Sequence, residues 1–423
     1  MIVDLVAYAV PFFILAMLIE LAWGHACGNN TYRINDAVGS LFLGTLSQAR
    51  RFITLGVGGY VYHLIATRLA QPQLDPASPW TWIFAMVLYD FCYYWLHRLG
   101  HERTLLWAAH VAHHQSEDYN LSTALRQTST GFLFSWLFYL PMYFAGIPAA
   151  VVVTVGSLNL IYQFWVHTQH IGRLGWYEWI FVTPSNHRVH HAQNERYLDR
   201  NYGGLFIIWD RMFGTFQEEL DEEPPVYGIR GPLRSFNPLR ALTHVYVDMA
   251  RDAWRTRRWR DKLRVLVART GWRPADVAAR YPRAKPDLAQ FERYDPPVGA
   301  PVRAYALFQL VATVALLGVL QLGLAPGYPE GVALVLAMLA TMVATALWLD
   351  SRHSGLCLAV DLSRLTAAAV LLFAQGDDLA GAAFAVAGSV YLGLNLLWLI
   401  ALARDGRRSL APVPVPDLEV RNA

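Results

Sequence analysis

Trp80-Thr-Trp-Ile-Phe-Ala-Met-Val-Leu-Tyr-Asp90-Phe-Cys-Tyr-Tyr-Trp-Leu-His97-Arg-Leu-Gly-His101 is the stretch on which the fold turns. It follows a loop containing Pro72, Pro76 and Pro79, runs as an aromatic-rich apolar segment, and ends in two histidines four residues apart. Its character predicts a membrane helix, and the HxxxH spacing puts both imidazoles on one helical face with Cβ atoms about 5 to 6 Å apart. A polar site is thus expected at a helix end. Asp90 is costly in lipid unless paired, so it is expected to face the protein interior, either as a partnered polar residue or as an orienter of a histidine.

The composition agrees. Of 423 residues, 55% are hydrophobic and 16% charged, which fits a membrane protein better than a set of soluble domains. A net charge of +3 is too small to indicate nucleic acid, and the basic residues fall in blocks beside apolar segments. Cys27, Cys92 and Cys357 lie far apart with no CxxC pair, so neither a disulfide framework nor a cysteine zinc site is indicated. Any metal must be held by histidine.

Upstream, residues 3 to 23 can cross a hydrocarbon core about 30 Å thick, and with Asp4 ahead of the apolar run and no basic n-region they are expected to stay as an anchor. Residues 37 to 69, interrupted by Arg50 and Arg51, read either as a broken helix or as a shallow hairpin. Downstream, the apolar region 132 to 166 is split by Pro141, Gly146 and Pro148 and suits a helical hairpin, which returns the chain to its starting side. Between Leu233 and Arg293 the chain becomes basic. Arg251, Arg255, Arg257, Arg258, Arg260, Lys262 and Arg264, interleaved with Trp254 and Trp259, predict a cytoplasmic amphipathic segment on anionic headgroups. Four further apolar segments, near 302–325, 331–349, 356–374 and 379–403, have loop charges that follow the positive-inside rule, and Asp361 with Arg364 is expected to be an ion pair or to contact headgroups.

Ten of the fourteen histidines fall between His97 and His191, where composition alone would place about three. Eight occupy three boxes: His97 and His101; His110, His113 and His114; His187, His190 and His191. Eight imidazoles exceed what a single four- to six-coordinate ion uses, so two ions are the economical interpretation. His25, His63, His244 and His353 stand alone and are expected to be structural.

The absences narrow the chemistry. There is no HExxH, which removes the usual metalloprotease base, and no ExxH pair of the carboxylate-bridged type. Transport would call for ligands at mid-membrane on several helices, whereas these lie at helix ends beside Arg98, Glu102 and Arg188. An all-histidine, oxygen-activating di-iron centre acting on lipid fits best, with zinc able to replace iron in such sites.

At these residues the chain resembles the fatty acid hydroxylase and sterol desaturase superfamily. The box order matches, as do Asn201-Tyr202-Gly203-Gly204, the run from Trp209 and Asp210 to Thr215, and the stretches 113–127, 163–168, 183–191 and 226–228. The resemblance is strongest to the ether-cleaving members. It implies hydroxylation of an alkylglycerol beside its ether oxygen, with dioxygen as oxidant and tetrahydrobiopterin or another reductant as electron donor, and collapse of the hemiacetal to a fatty aldehyde and glycerol. It gives metal-ligand roles to His97, His101, His110, His113, His114, His187, His190 and His191, and adds His167. By the same resemblance Asp118, Asn201 and Asp210 are candidate catalytic residues, and Asp118, Tyr119 and Asn120 are candidates for the reductant site. Glu102, directly after the first box, is a further catalytic candidate: it either hydrogen-bonds a ligand or a bridging water, or is a helix-surface glutamate. Two departures stand out: the family's His-Thr-Glu reads His-Thr-Gln here, followed by His170 as a replacement ligand or a mere neighbour, and Asn186 stands where a histidine is frequent.

The expected architecture is an all-α, polytopic integral membrane bundle with a histidine-rich di-metal site on the cytoplasmic side. Residues 1–230 would form the oxygenase domain, 231–300 a basic interfacial linker, 301–405 a four-helix membrane region and 406–423 a tail. Hydroxylation or desaturation of a sterol, carotenoid or fatty acyl chain is the competing enzymatic reading; metal transport is the non-enzymatic one.

Overall fold

The computed structural model describes residues 5–49, 57–68, 72–283, 287–323, 328–373 and 379–409. Arg50, Arg51, the 375–378 loop and residues 410–423 of the expected tail lie outside them. Among the described residues the structure is helical, with three isolated bridges and no strand.

The first half contains α1 (Leu5–Ala26), α2 (Ile34–Ala49), α3 (Val57–Arg68) and α4 (Pro79–Glu102), followed by the short α5 (Thr104–Ala108), α6 (Leu121–Ala124), α7 (Phe132–Phe138) and α8 (Leu140–Phe144), then α9 (Ala149–Trp165), α10 (Pro184–His190) and α11 (Ile208–Phe213). The second half adds α12 (Pro238–Arg255), α13 (Trp259–Val267), α14 (Ala275–Arg280), α15 (Ala300–Gln321), α16 (Tyr328–Leu349), α17 (Ser354–Phe373) and α18 (Leu379–Ser409). Among the described residues, four stretches are long and apolar enough to cross a membrane: Tyr8–Ala26, Ala300–Gln321, Tyr328–Leu349 and Ala385–Arg404.

Local chemistry sets the helix limits that matter. Pro79 occupies the first turn of α4, where no backbone donor is needed, and Arg103 ends the helix in an extended conformation immediately after the first box. The 132–166 region breaks where its prolines and Gly146 fall, so α9 runs back against α4 and α1. Gly156 permits the α4 approach, since a Cβ there would meet the Tyr89 hydroxyl at 2.9 Å.

One apolar core joins the halves. Val38, Phe42, Leu43 and Leu46 of α2 pack with Phe236, Leu242, Leu320, Met338 and Met342. A second, polar cluster lies inside the C-terminal helices. Asp361 accepts from Tyr305 (2.8 Å), Trp348 (2.7 Å) and Arg364 (2.7 Å), while Arg364 also donates to Tyr391 (2.9 Å) and Asn395 (2.8 Å). The Asp361–Arg364 alternative is therefore resolved as a buried ion pair.

Candidate metal centre

The nine histidines expected to be ligands form two groups. His97, His101, His110, His114 and His190 make one, His113, His167, His187 and His191 the other; within each group the ligand nitrogens all lie within 4.8 Å of one another. The division follows from helix geometry. His97 and His101, one turn apart on α4, reach the same group. Consecutive residues on a helix diverge by about 100°, so the neighbours His113 and His114, and likewise His190 and His191, separate into different groups. Each HxxHH box is thus shared between two candidate metal positions.

The second box differs from the first in its local geometry. Val111–Gln115 form a 3-10 turn, opened by the His113 amide donating to the His110 carbonyl at 3.0 Å. The tighter turn still brings the Nε2 atoms of His110 and His114 within 3.1 Å. In the third box, Thr183 caps α10 with Pro184 in the first turn. Asn186 bonds back to the Thr183 amide at 3.1 Å, completing a capping box. This is the structural role of Asn186, the departure noted in the sequence.

His167 joins the third box through Arg188. The guanidinium forms a two-pronged pair with Glu219 at 2.8 and 2.7 Å and donates to the carbonyls of Thr168 and Ile171. That clamp holds the loop after α9 against α10. His170 falls outside both groups, and Gln169 donates to the Tyr119 carbonyl at 2.8 Å.

Four rings have their orientation fixed by backbone carbonyls. His97 Nδ1 lies 2.8 Å from the Tyr202 carbonyl, His113 Nδ1 2.9 Å from that of Arg126, His167 Nδ1 2.7 Å from that of Gln163, and His190 Nδ1 3.0 Å from that of Arg200. In a neutral ring each of these Nδ1 atoms carries the proton, leaving Nε2 with a lone pair aimed inward.

That assignment makes metal the natural occupant. The Nε2 atoms of His113 and His167 are 3.3 Å apart, each with its lone pair toward the other, an arrangement that repels unless a cation lies between them. A proton is a poor candidate near neutral pH, because burial pulls His113 down to about 4, against the Arg126 carbonyl, which favours the charged ring. Burial likewise holds His114, His187, His190 and His191 well below the usual range, with neighbouring imidazoles adding to the effect. Nitrogen contacts of 3.0, 3.2 and 3.3 Å within the second group approach the edge of about 3.3 Å that bonds of about 2.0 to 2.1 Å give a tetrahedron. In the first group the Nε2 atoms of His97, His101 and His190 are buried without a hydrogen-bond partner.

The other candidate residues surround these groups. Asp210 accepts from the amides of Tyr202 and Gly203, both at 2.8 Å, and from the Thr215 hydroxyl at 2.7 Å. Asn201, at φ 55°, donates to the carbonyls of Asn186 (3.0 Å) and Gln217 (2.7 Å). Together they hold the turn whose carbonyls orient His190 and His97. Asp90 faces the interior but touches no imidazole; it accepts from the amides of Leu205 and Phe206, from Trp209 and from Asn159, and a Cβ on Gly204 would come within 2.9 Å of its oxygen. Glu102 pairs with Arg98 at 2.9 Å and lies outside both histidine groups.

Asp118, Tyr119 and Asn120 are buried and bonded within the protein. Asp118 pairs with Arg33 (2.9 Å) and Arg293 (3.4 Å), Asn120 caps α6, and Tyr119 donates to the Val166 carbonyl (2.9 Å) while stacking on Tyr227. The isolated histidines behave as expected where partners are defined: His25 bonds to the Leu21 carbonyl and His244 to Gln115. Sequence reasoning missed the four orienting carbonyls, which leave no side-chain signature, and Trp107, whose ring lies 5.0 Å from that of His101. It also passed over the Thr183–Asn186 capping pattern, although Thr-Pro-x-Asn displays it.

Among the described residues, a helical chain with helices long enough to cross a membrane carries two histidine groups that could each hold a metal ion, the equipment of a membrane oxidoreductase. Residues 82–215 match the fatty acid hydroxylase family model. An alkylglycerol monooxygenase of Xenopus tropicalis is 39% identical over 74% of this chain and 70% of its own length, and that of Homo sapiens 42% over 64% and 60%. An ornithine lipid hydroxylase of Rhizobium tropici is 30% identical over 41% of this chain and 55% of its own. The chain belongs to the alkylglycerol monooxygenase family. No solved structure matches it.

Proposed function

We propose that this protein is a di-iron lipid monooxygenase that opens the O-alkyl ether bond of alkylglycerols. The observation that carries the reading is the pair of histidine groups whose ligand nitrogens converge within 4.8 Å of one another, in a chain of this family. The donor set fits two ions of the iron or zinc type. Bound iron would supply activation of dioxygen, with two electrons from tetrahydrobiopterin or another reductant. One oxygen atom enters the C–H bond beside the ether oxygen and the other leaves as water; the hemiacetal then breaks its C–O bond to give fatty aldehyde and glycerol.

In this reading the protein's part is placement. The carbonyls of Tyr202, Arg126, Gln163 and Arg200 hold four imidazoles in one tautomer, and Asn201 and Asp210 brace the turn that supplies two of those carbonyls. Glu102, adjacent to ligand His101 and only partly buried, is the carboxylate best positioned by sequence to exchange a proton between the site rim and water. Within the trio suggested for the reductant, Tyr119 has its ring 5.3 Å from His191 and 5.7 Å from His167. The exposed arginines of α12 and α13, near the first box, support a cytoplasmic site.

Incubation of the purified protein with an alkylglycerol, a reduced pterin and oxygen is expected to release fatty aldehyde. Turnover of a sterol or acyl lipid without aldehyde would instead favour hydroxylation of another lipid. Glu102→Gln is expected to retain both ions while turnover falls by about 10²-fold or more.

A further inference from the structure

The helix α13 has an outer face that none of the described residues covers. Trp259, Leu263 and Val267, spaced four residues apart and therefore aligned along one side, are 79%, 69% and 64% exposed, and Trp254 just before them is 86% exposed. The opposite face is anchored: Val265 packs with Ala108 and Met249, and Asp261 is buried. Lys262 fixes the α12–α13 turn by donating to the Ala253 carbonyl at 2.7 Å. Arg257, Arg258 and Arg260 surround the stripe, exposed and without a carboxylate partner among the described residues. An apolar, tryptophan-bearing stripe fringed by unpaired arginines has the chemistry of the headgroup layer of an anionic leaflet.

The end of this helix is tied to the metal centre. The Thr104 amide donates to the Ala268 carbonyl at 3.0 Å, the Thr270 amide donates to the Glu102 carbonyl at 3.2 Å, and the Thr270 hydroxyl donates to the carbonyl of His101 itself. The backbone after α13 is thereby strapped to the last turn of α4, which carries the first box.

We propose that Trp254, Trp259, Leu263 and Val267 form a lipid-contact foot in an anionic leaflet, and that this foot fixes the depth of the first histidine box relative to the headgroups. The inference rests on membrane placement and not on the reaction, so it can fail while the proposed chemistry stands, and the reverse.

The test uses the full chain with Cys27→Ser, labelled with an environment-sensitive fluorophore at Leu263→Cys or, as the aqueous reference, at Glu222→Cys. The protein is reconstituted in phosphatidylcholine vesicles with and without about one-third phosphatidylglycerol. The probe at 263 is expected to be quenched by brominated lipid and to be about threefold less accessible to iodide than the probe at 222. Anionic lipid should deepen this protection, and Arg257→Gln, Arg258→Gln and Arg260→Gln together should remove that gain. Equal iodide access at both positions would overturn the proposal. So would protection at 263 without quenching by brominated lipid, which would mean that a second copy or another protein covers the face, and so would an anionic-lipid gain unchanged in the triple variant.

Discussion

Two of the buried polar clusters among the described residues differ in kind, one around the nine histidines and one around Asp361 and Arg364. In the second, the carboxylate and guanidinium have partners throughout: Tyr305, Trp348, Tyr391 and Asn395 surround the pair, and Gln309 bonds onward to Asn395 and Tyr391. In the first, ring nitrogens face one another with lone pairs, or are buried with no partner. Burial of polar groups is therefore not what distinguishes a site from a scaffold. A closed donor and acceptor account needs nothing further, while an excess of acceptors calls for a cation.

The sharpest way to break this contrast is to remove a ligand. His113→Ala takes away one of four nitrogens in its group and is expected to lower metal content from about two ions per chain to about one, with loss of turnover of about 10³-fold or more. Full occupancy in that variant, measured by metal analysis, would mean that the group is not a metal site.

Next comes cutting the closed cluster. Arg364→Leu strands the Asp361 carboxylate in an apolar bundle and is expected to destabilise the protein by about 3 to 5 kcal/mol, while Asp361→Leu with Arg364→Leu recovers much of the loss. Thermal unfolding in detergent reads both, and neither should change metal content. Chelation should do the opposite, lowering the thermal midpoint of the wild type through lost ligand binding and leaving the difference between wild type and the Arg364 variant intact.

Smaller effects test the bracing. Asn201→Ala loses two donated hydrogen bonds at a left-handed position and is expected to weaken metal affinity by about 10- to 100-fold in chelator competition. Gln169→Glu removes the donor to the Tyr119 carbonyl and is expected to change stability by about 1 kcal/mol with metal content unchanged. Gain or loss of an ion in that variant would instead bring position 169 into the coordination sphere.

The comparison also explains what could be read from sequence. HxxxH on α4 was legible because an i, i+4 pair on an apolar helix has a fixed geometry, and the hairpin at 132–166 because Pro141, Gly146 and Pro148 interrupt it. The partition of the boxes between two positions was equally implicit in the adjacency of His113 with His114 and of His190 with His191. The 3-10 turn at Val111–Gln115 was not legible, since i, i+3 and i+4 histidines satisfy either helix. Asp90, Asn201 and Asp210 were recognisable as important by residue type, yet their work is bonding to loop backbone, which depends on tertiary contacts. Asp361 and Arg364 were visible as a possible pair, but the four surrounding partners come from three other helices.

The four carbonyls that hold His97, His113, His167 and His190 have a consequence for how such a site can change. A carbonyl is supplied by any residue, so a substitution at Tyr202, whose ring lies 5.4 Å from that of His101, can alter the surroundings of the histidines without deleting the acceptor that steers His97. A shell built this way lets the side chains around the histidines drift while the orientation of the rings is inherited unchanged.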